Sequence, residues 1–278
     1  MDRSALSKLL WMMIAVAVPL AACGDDDPAG PSGQGATVSL SVAVPAPAPL
    51  AAYRPDGALF AMVPVTDGVS TLEIETVEIV LREIELERTD SEDCNDNAGV
   101  EDDDCEEFET GPYLLDVPLD ATGAAQAFAI PGVPAGSYDE IEFEIHTPQD
   151  DPGDDAFLIA HPEFEGISVR ATGTFDDGQG GEPQPFVFES NLSQEQEMEL
   201  APPLVVGDGS AANVTLQVDV STWFFAADGV TLLDPSTAST GEPNESVVEE
   251  NIQNSLHVYE DDDRDGEDDS EELDDLLS

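Results

Sequence analysis

The densest set of ligand-type side chains lies near the carboxyl end, where residues 261–272 read Asp-Asp-Asp-Arg-Asp-Gly-Glu-Asp-Asp-Ser-Glu-Glu. Aspartates at positions one, three and five, a glycine at six and a glutamate at twelve are the spacing of a helix–loop–helix calcium loop. Asp261, Asp263 and Asp265 would offer side-chain oxygens, Glu267 its backbone carbonyl, Asp269 a contact through water, and Glu272 a bidentate carboxylate. Gly266 would make the sharp turn. Oxygen donors suit a hard cation, and extracellular calcium modules of this kind bind at about 10⁻⁴–10⁻³ M. Composition offers a competing account. Twelve of the sixteen residues 260–275 are acidic, so the aspartates match almost for free and only Gly266 and Glu272 discriminate. Asp268 stands where such loops usually carry an apolar residue, and six residues follow Glu272, too few for a full exit helix. Calcium loop and solvated acidic tail are both readings of this segment.

Other chemistry is sparse. His146, His161 and His257 are far apart in sequence, and none has a neighbour at metal-ligand spacing. No Gly-x-Ser-x-Gly elbow, His-Glu-x-x-His pair or Gly-x-Gly-x-x-Gly loop occurs. Carboxylates are so abundant that no single pair is marked out for hydrolytic work. Asp102, Asp103, Asp104, Glu106 and Glu107 would trap divalent cations weakly or simply be solvated. Trp223, Phe224 and Phe225 would line a carbohydrate platform or pack in a core. With 62 acidic residues against 7 basic ones and a net charge of −55, the chain lacks the basic face that nucleic acid requires. A non-enzymatic binding or scaffolding role is the favoured class, with a protein or glycan partner left open. A carboxylate-dependent extracytoplasmic hydrolase is the alternative.

The amino terminus speaks to location. Arg3 and Lys8 precede an uncharged apolar run, Leu9 to Ala22, of 14 residues. A membrane span needs roughly 20, whereas a signal peptide needs 7–15. The run ends in Leu20-Ala21-Ala22-Cys23, which resembles the lipobox of bacterial lipoproteins. That resemblance implies cleavage before Cys23, diacylation of its sulfur, and export with a membrane anchor on the periplasmic or cell-surface face. Two or three acyl chains anchor stably where one is marginal. Cleavage would also remove Lys8, the sole lysine, which rules out a P-loop lysine or Schiff base in the mature chain. The remaining cysteines, Cys94 and Cys105, lie eleven positions apart in a loop, residues 90–109, with 11 acids and no base. In an oxidising compartment this pair predicts a disulfide, contributing roughly 3 kcal/mol by loop-closure entropy.

These features must be carried by β-structure. Val38, Leu40, Val42 and Val44 alternate, as a half-buried strand requires. Leu72 to Leu86 is apolar-periodic with two phase slips, which predicts strands with bulges or a turn; a helix through Val77, Val80, Leu81 and Ile84 is the competing reading, and β-branched enrichment favours strand. Ile141, Phe143 and Ile145 alternate with Glu140, Glu142 and Glu144, apolar inward and acid outward. Similar runs occur near 113–117, 125–130, 167–175, 186–188, 198–200 and 214–220. Pro131 to Gly136 reads as a turn. About nine short strands predict a mainly β fold, an antiparallel sandwich of immunoglobulin-like or transthyretin-like type. Val247, Val248, Ile252 and Leu256 predict a short C-terminal helix within 244–260, entering the acidic loop. The organisation is a signal peptide (1–22), a tether (23–35), a β-sandwich domain (36–225), an extension with a helix (226–260) and an acidic tail with the candidate calcium loop (261–278).

Several segments carry a family likeness. They are Leu81-Arg82-Glu83-Ile84-Glu85-Leu86 before the cysteine pair, Leu114-Leu115-Asp116-Val117-Pro118-Leu119, Pro134-Ala135-Gly136-Ser137-Tyr138, and Ser221-Thr222-Trp223-Phe224. With the Asp-rich end they resemble a group of uncharacterised bacterial lipoproteins with β-sandwich domains of unknown function. The likeness spans most of residues 36–269. It implies fold and location, and carries over no catalytic residue.

Overall fold

The apolar alternations above become strands in a computed structural model, which describes residues 35–45, 63–89, 111–119 and 123–269. In chain order the strands are β1 (Ala36–Ala43), β2 (Val63–Thr66), β3 (Thr71–Arg88), β4 (Tyr113–Asp116), β5 (Ala125–Val133) and β6 (Gly136–Ile145). After helix α1 (Asp155–Ala160) come β7 (Val169–Asp176), β8 (Gln184–Ser190), β9 (Gln194–Val206) and β10 (Ala211–Val218). Helix α2 (Glu245–Gln253) and strand β11 (Leu256–Glu260) complete the described elements. The fold is mainly β. One sheet has the order β11-β10-β1-β5; the other has β8-β7-β3-β6-β9, with β2 and β4 also paired to β3. All pairings are antiparallel except β1 with β10, which is parallel.

β3 organises the larger sheet. Its first half pairs with β7 and its second with β6, and the register shifts between Ile74 and Thr76 and between Arg82 and Glu85. These irregularities are the physical origin of the phase slips in its sequence. At the second, Glu83 takes φ of 53°, and Ile84 is returned to full burial. Val38, Leu40, Leu72, Ile79, Ile141, Phe143, Leu216 and Trp223, drawn from both sheets and the segment after β10, belong to one apolar core. Residues beyond Phe225 add Leu232, Ala238, Val248, Ile252 and Leu256 to it. On the other face of β3, Val80 packs with Phe157 of α1 and Phe164. All described residues fall in one compact unit.

Three sequence expectations need correction. Pro131 and Gly132 lie within β5, so the turn is confined to Pro134 and Ala135. The expected helix ends at Gln253, and residues 256–260 form β11 on β10; a chain that pairs with a sheet edge cannot keep helical backbone. β1 is not half-buried: Ser39 and Ser41 are buried like Val38 and Leu40, Ser39 beneath the Arg264 guanidinium and Ser41 bonded to the Asn213 side chain. No helix among the described residues is long and apolar enough to cross a membrane.

Candidate metal centre

The acidic loop begins where β11 ends. A strand therefore enters it, not the helix of a helix–loop–helix site, and its anchor is the neighbouring strand β10. The Asn213 carbonyl accepts from the Asp261 backbone N–H at 3.2 Å, and the Asn213 side-chain amide donates to the Asp261 carbonyl at 2.7 Å. The Thr215 hydroxyl donates to Asp261 Oδ2 at 2.8 Å, and Ser41 of β1 donates to Asn213 Oδ1 at 2.7 Å. Ser41, Asn213, Thr215 and Asp261 are all buried. The row is satisfied internally, as buried polar groups must be.

From Asp261 the chain turns sharply. Asp261 accepts the backbone N–H groups of Asp265 (3.1 Å) and Gly266 (3.1 Å), Asp263 accepts that of Asp265 (3.2 Å), and Asp265 accepts that of Glu267 (2.8 Å). Gly266 adopts φ of 86°, a left-handed conformation that glycine reaches without strain. Asp269 closes the loop by accepting the Asp262 N–H at 2.8 Å. Arg264 points away from the aspartates: its guanidinium donates to Gln126 (3.1 Å) and Ser39 (3.3 Å), and its carbonyl accepts from Ala124. Residues 261–269 thus fold back across β10, β1 and β5.

This folding brings one carboxylate oxygen each of Asp261, Asp263 and Asp265 within 4.8 Å of one another. Burial pushes the Asp261 carboxyl up, with the Asp265 charge adding to it and the Thr215 and Gly266 bonds opposing it. Burial also pushes the Tyr259 phenol up to about 12, helped by Asp261, Asp268 and Asp265; its hydroxyl donates to the Gly266 carbonyl at 2.7 Å. The donor set is all oxygen, and it fits a hard divalent cation. Asp263, Asp265 and Glu267 are exposed, Asp269 is half-buried, and Glu272 lies outside the described residues. Sequence reasoning missed Asn213 and Thr215. Their signal was a polar face, Asn213, Thr215 and Gln217, on an otherwise apolar strand.

A second acidic group lies on the larger sheet. Carboxylate oxygens of Glu142, Glu195 and Glu197 also come within 4.8 Å of one another. Two of them, Glu142 and Glu195, line an open cavity of about 430 Å³ together with Glu83, Glu85, Glu144, Ser193 and Gln194. Glu142 is hydrogen-bonded to Glu195, and that bond, with burial and the charges of Glu195, Glu85 and Glu197, raises its carboxyl to about 8.

The remaining expectations are placed as follows. His146 sits between carboxylates, with Nε2 2.9 Å from Asp154 and Nδ1 3.5 Å from Glu144; Asp154 is fully buried and also accepts the Gln149 N–H at 2.8 Å. Trp223 and Phe224 are buried, so they form core and not a platform. Cys23, Cys94, Cys105 and the acids at 102–107 lie outside the described residues. No protein-family profile, curated protein or solved structure matches this chain.

Proposed function

We propose that this chain is an exported β-sandwich protein, held at the membrane by lipid on Cys23, with a non-enzymatic binding or scaffolding role at the cell envelope. It would belong with the bacterial lipoproteins its sequence resembles, and the two sheets would stack about their shared core. In this reading the loop beginning at Asp261 takes up calcium, which fastens the carboxyl end across the smaller sheet. The observation that carries it is the gathering of Asp261, Asp263 and Asp265 around a turn built on buried polar groups, with the one nearby cation, Arg264, directed elsewhere among the described residues. Calcium would offset the cost of burying the Asp261 charge and the mutual repulsion of the three carboxylates.

Calorimetry with calcium on the full-length protein tests the site. With a dissociation constant of about 10⁻⁴ M, calcium at roughly 100 times that concentration should stabilise the fold by about 2.7 kcal/mol. Asp263→Asn and Asp265→Asn, both at exposed positions, should remove the heat of binding and the stabilisation. Isotherms identical to the parent's would leave the loop as composition alone. Anchoring is tested separately: Cys23→Ser should move the protein out of the membrane fraction, and a variant that stays there would place the anchor elsewhere. The hydrolase alternative draws support from the hydrogen-bonded Glu142–Glu195 pair, since two carboxyls sharing a proton can divide acid and base roles. It requires a hydrolytic activity that Glu142→Gln abolishes.

A further inference from the structure

Three adjacent strands of the larger sheet carry glutamates on one face. Side chains alternate along a strand, and the inward set here is Leu86, Ile141, Phe143 and Met198. The outward set is Glu85 and Glu87 on β3, Glu140, Glu142 and Glu144 on β6, and Glu195, Glu197 and Glu199 on β9. Register then places like against like. Glu85 stands opposite Glu142, and Glu87 opposite Glu140. Across the other edge of β6, Glu140 faces Glu199, Glu142 faces Glu197 and Glu144 faces Glu195. Opposed side chains in a sheet have Cβ atoms about 4.5–5.5 Å apart, and like charges there destabilise the pairing.

Arg82 neutralises one border of this face, 2.8 Å from Glu144 and 3.0 Å from Glu83. His146 adds Nδ1 beside Glu144, and the Ser193 hydroxyl donates to Glu144 at 2.8 Å. Glu142 is instead surrounded by Glu85 from β3 and Glu195 and Glu197 from β9. Glu140 is surrounded by Glu87, Glu197 and its neighbour Asp139. Two hydrogen bonds relieve the crowding: Glu142 with Glu195, and Glu140 with Glu87. An ionised carboxylate only accepts, so a carboxyl–carboxyl hydrogen bond exists only while one member keeps its proton.

We propose that this glutamate face is a proton-operated switch, in which the proton shared between Glu142 of β6 and Glu195 of β9 holds the two strands together and its loss loosens the sheet at its β9 edge. Like charges opposed by the register favour neutralisation, and the raised carboxyls of Glu142 and Glu140 agree with it. The sign follows from linkage. Glu142 binds its proton up to about pH 8 in the folded protein but releases it near the ordinary glutamate value of about 4.3 when unfolded. Between those values the folded state binds more protons, so stability falls as pH rises and levels off above the folded value.

The test is the unfolding equilibrium of the full-length protein against pH, with chelator present so that divalent cations do not contribute. Ordinary carboxylates have finished titrating by about pH 6. Above that point each retained proton steepens the unfolding constant by up to about tenfold per pH unit. Glu142→Gln and Glu195→Gln each remove the shared proton while keeping a hydrogen-bonding amide. Both should flatten the profile between about pH 6 and pH 8 and leave the variants more stable than the parent at alkaline pH. Amides of β9 should lose protection on alkalinisation in the parent and keep it in the variants. Profiles for parent and variants that run parallel would overturn the proposal, as would β9 protection that does not change with pH.

Discussion

Trp223→Ala should cost about 3–5 kcal/mol, the range for truncating a large buried aromatic. Typical domains are stable by about 5–15 kcal/mol, so the variant loses a large part of its margin. Trp223 is wholly buried just after the 3-10 turn Val220–Thr222 that ends β10. Its indole N–H donates to Ser255 Oγ at 2.8 Å, and Ser255 Oγ in turn donates to the Ile252 carbonyl at the end of α2. The adjacent Phe224 meets Phe188 and Phe186 edge-on, with centroids 5.2 and 5.9 Å away. Truncation therefore opens a cavity where the core meets both α2 and the approach to β11. Denaturant unfolding at fixed salt measures the loss, with Trp223→Phe as a variant that should retain more of the stability. A loss below about 1 kcal/mol for the alanine variant, the ordinary result of an average substitution, would show that Trp223 is not a core residue.

Gly173→Ala should be nearly as damaging although it adds one methyl group. Gly173 lies in β7 opposite Ile74 of β3, beside the register shift between Ile74 and Thr76. A Cβ at this position would sit 1.9 Å from the Glu73 carbonyl oxygen and 2.9 Å from Phe186 Cε1. The carbonyl is backbone and cannot swing aside as a side-chain tip can. Glycine within a strand is the residue that permits such close backbone approach. The strands must separate locally, at about 1–3 kcal/mol or more for overpacking, with loss of pairing between β3 and β7. Amide exchange in β7 and β8, compared with β10, measures it: protection should fall in the first pair and persist in β10. Unchanged exchange in β7 would mean the backbone accommodates the methyl group.

Strand identity was legible wherever one face is apolar and the other polar. The alternation in β6 appears directly as Ile141, Phe143 and Ile145 inward with Glu140, Glu142 and Glu144 outward, because side-chain direction in a strand has a fixed period of two. β2 and β11 were missed. Four residues containing Pro64 give too short a pattern, and Leu256 of β11 follows Ile252 by four residues, a spacing that also suits the end of a helix. The choice between them was made by the free edge of β10, a partner that lies about forty residues away in sequence.

The sequence by itself determined the acidity of the chain, its mainly β character and the aspartate spacing from Asp261. All three follow from residue type and local period. Tertiary structure alone decided that Arg264 reaches Ser39 across β1, that Asn213 and Thr215 hold Asp261, and that the glutamates of β3, β6 and β9 face one another. Register between strands is set by core packing and bulges distributed along the whole sheet. Local sequence can say that Glu142 points outward, but only the assembled sheet brings Glu195 to its side.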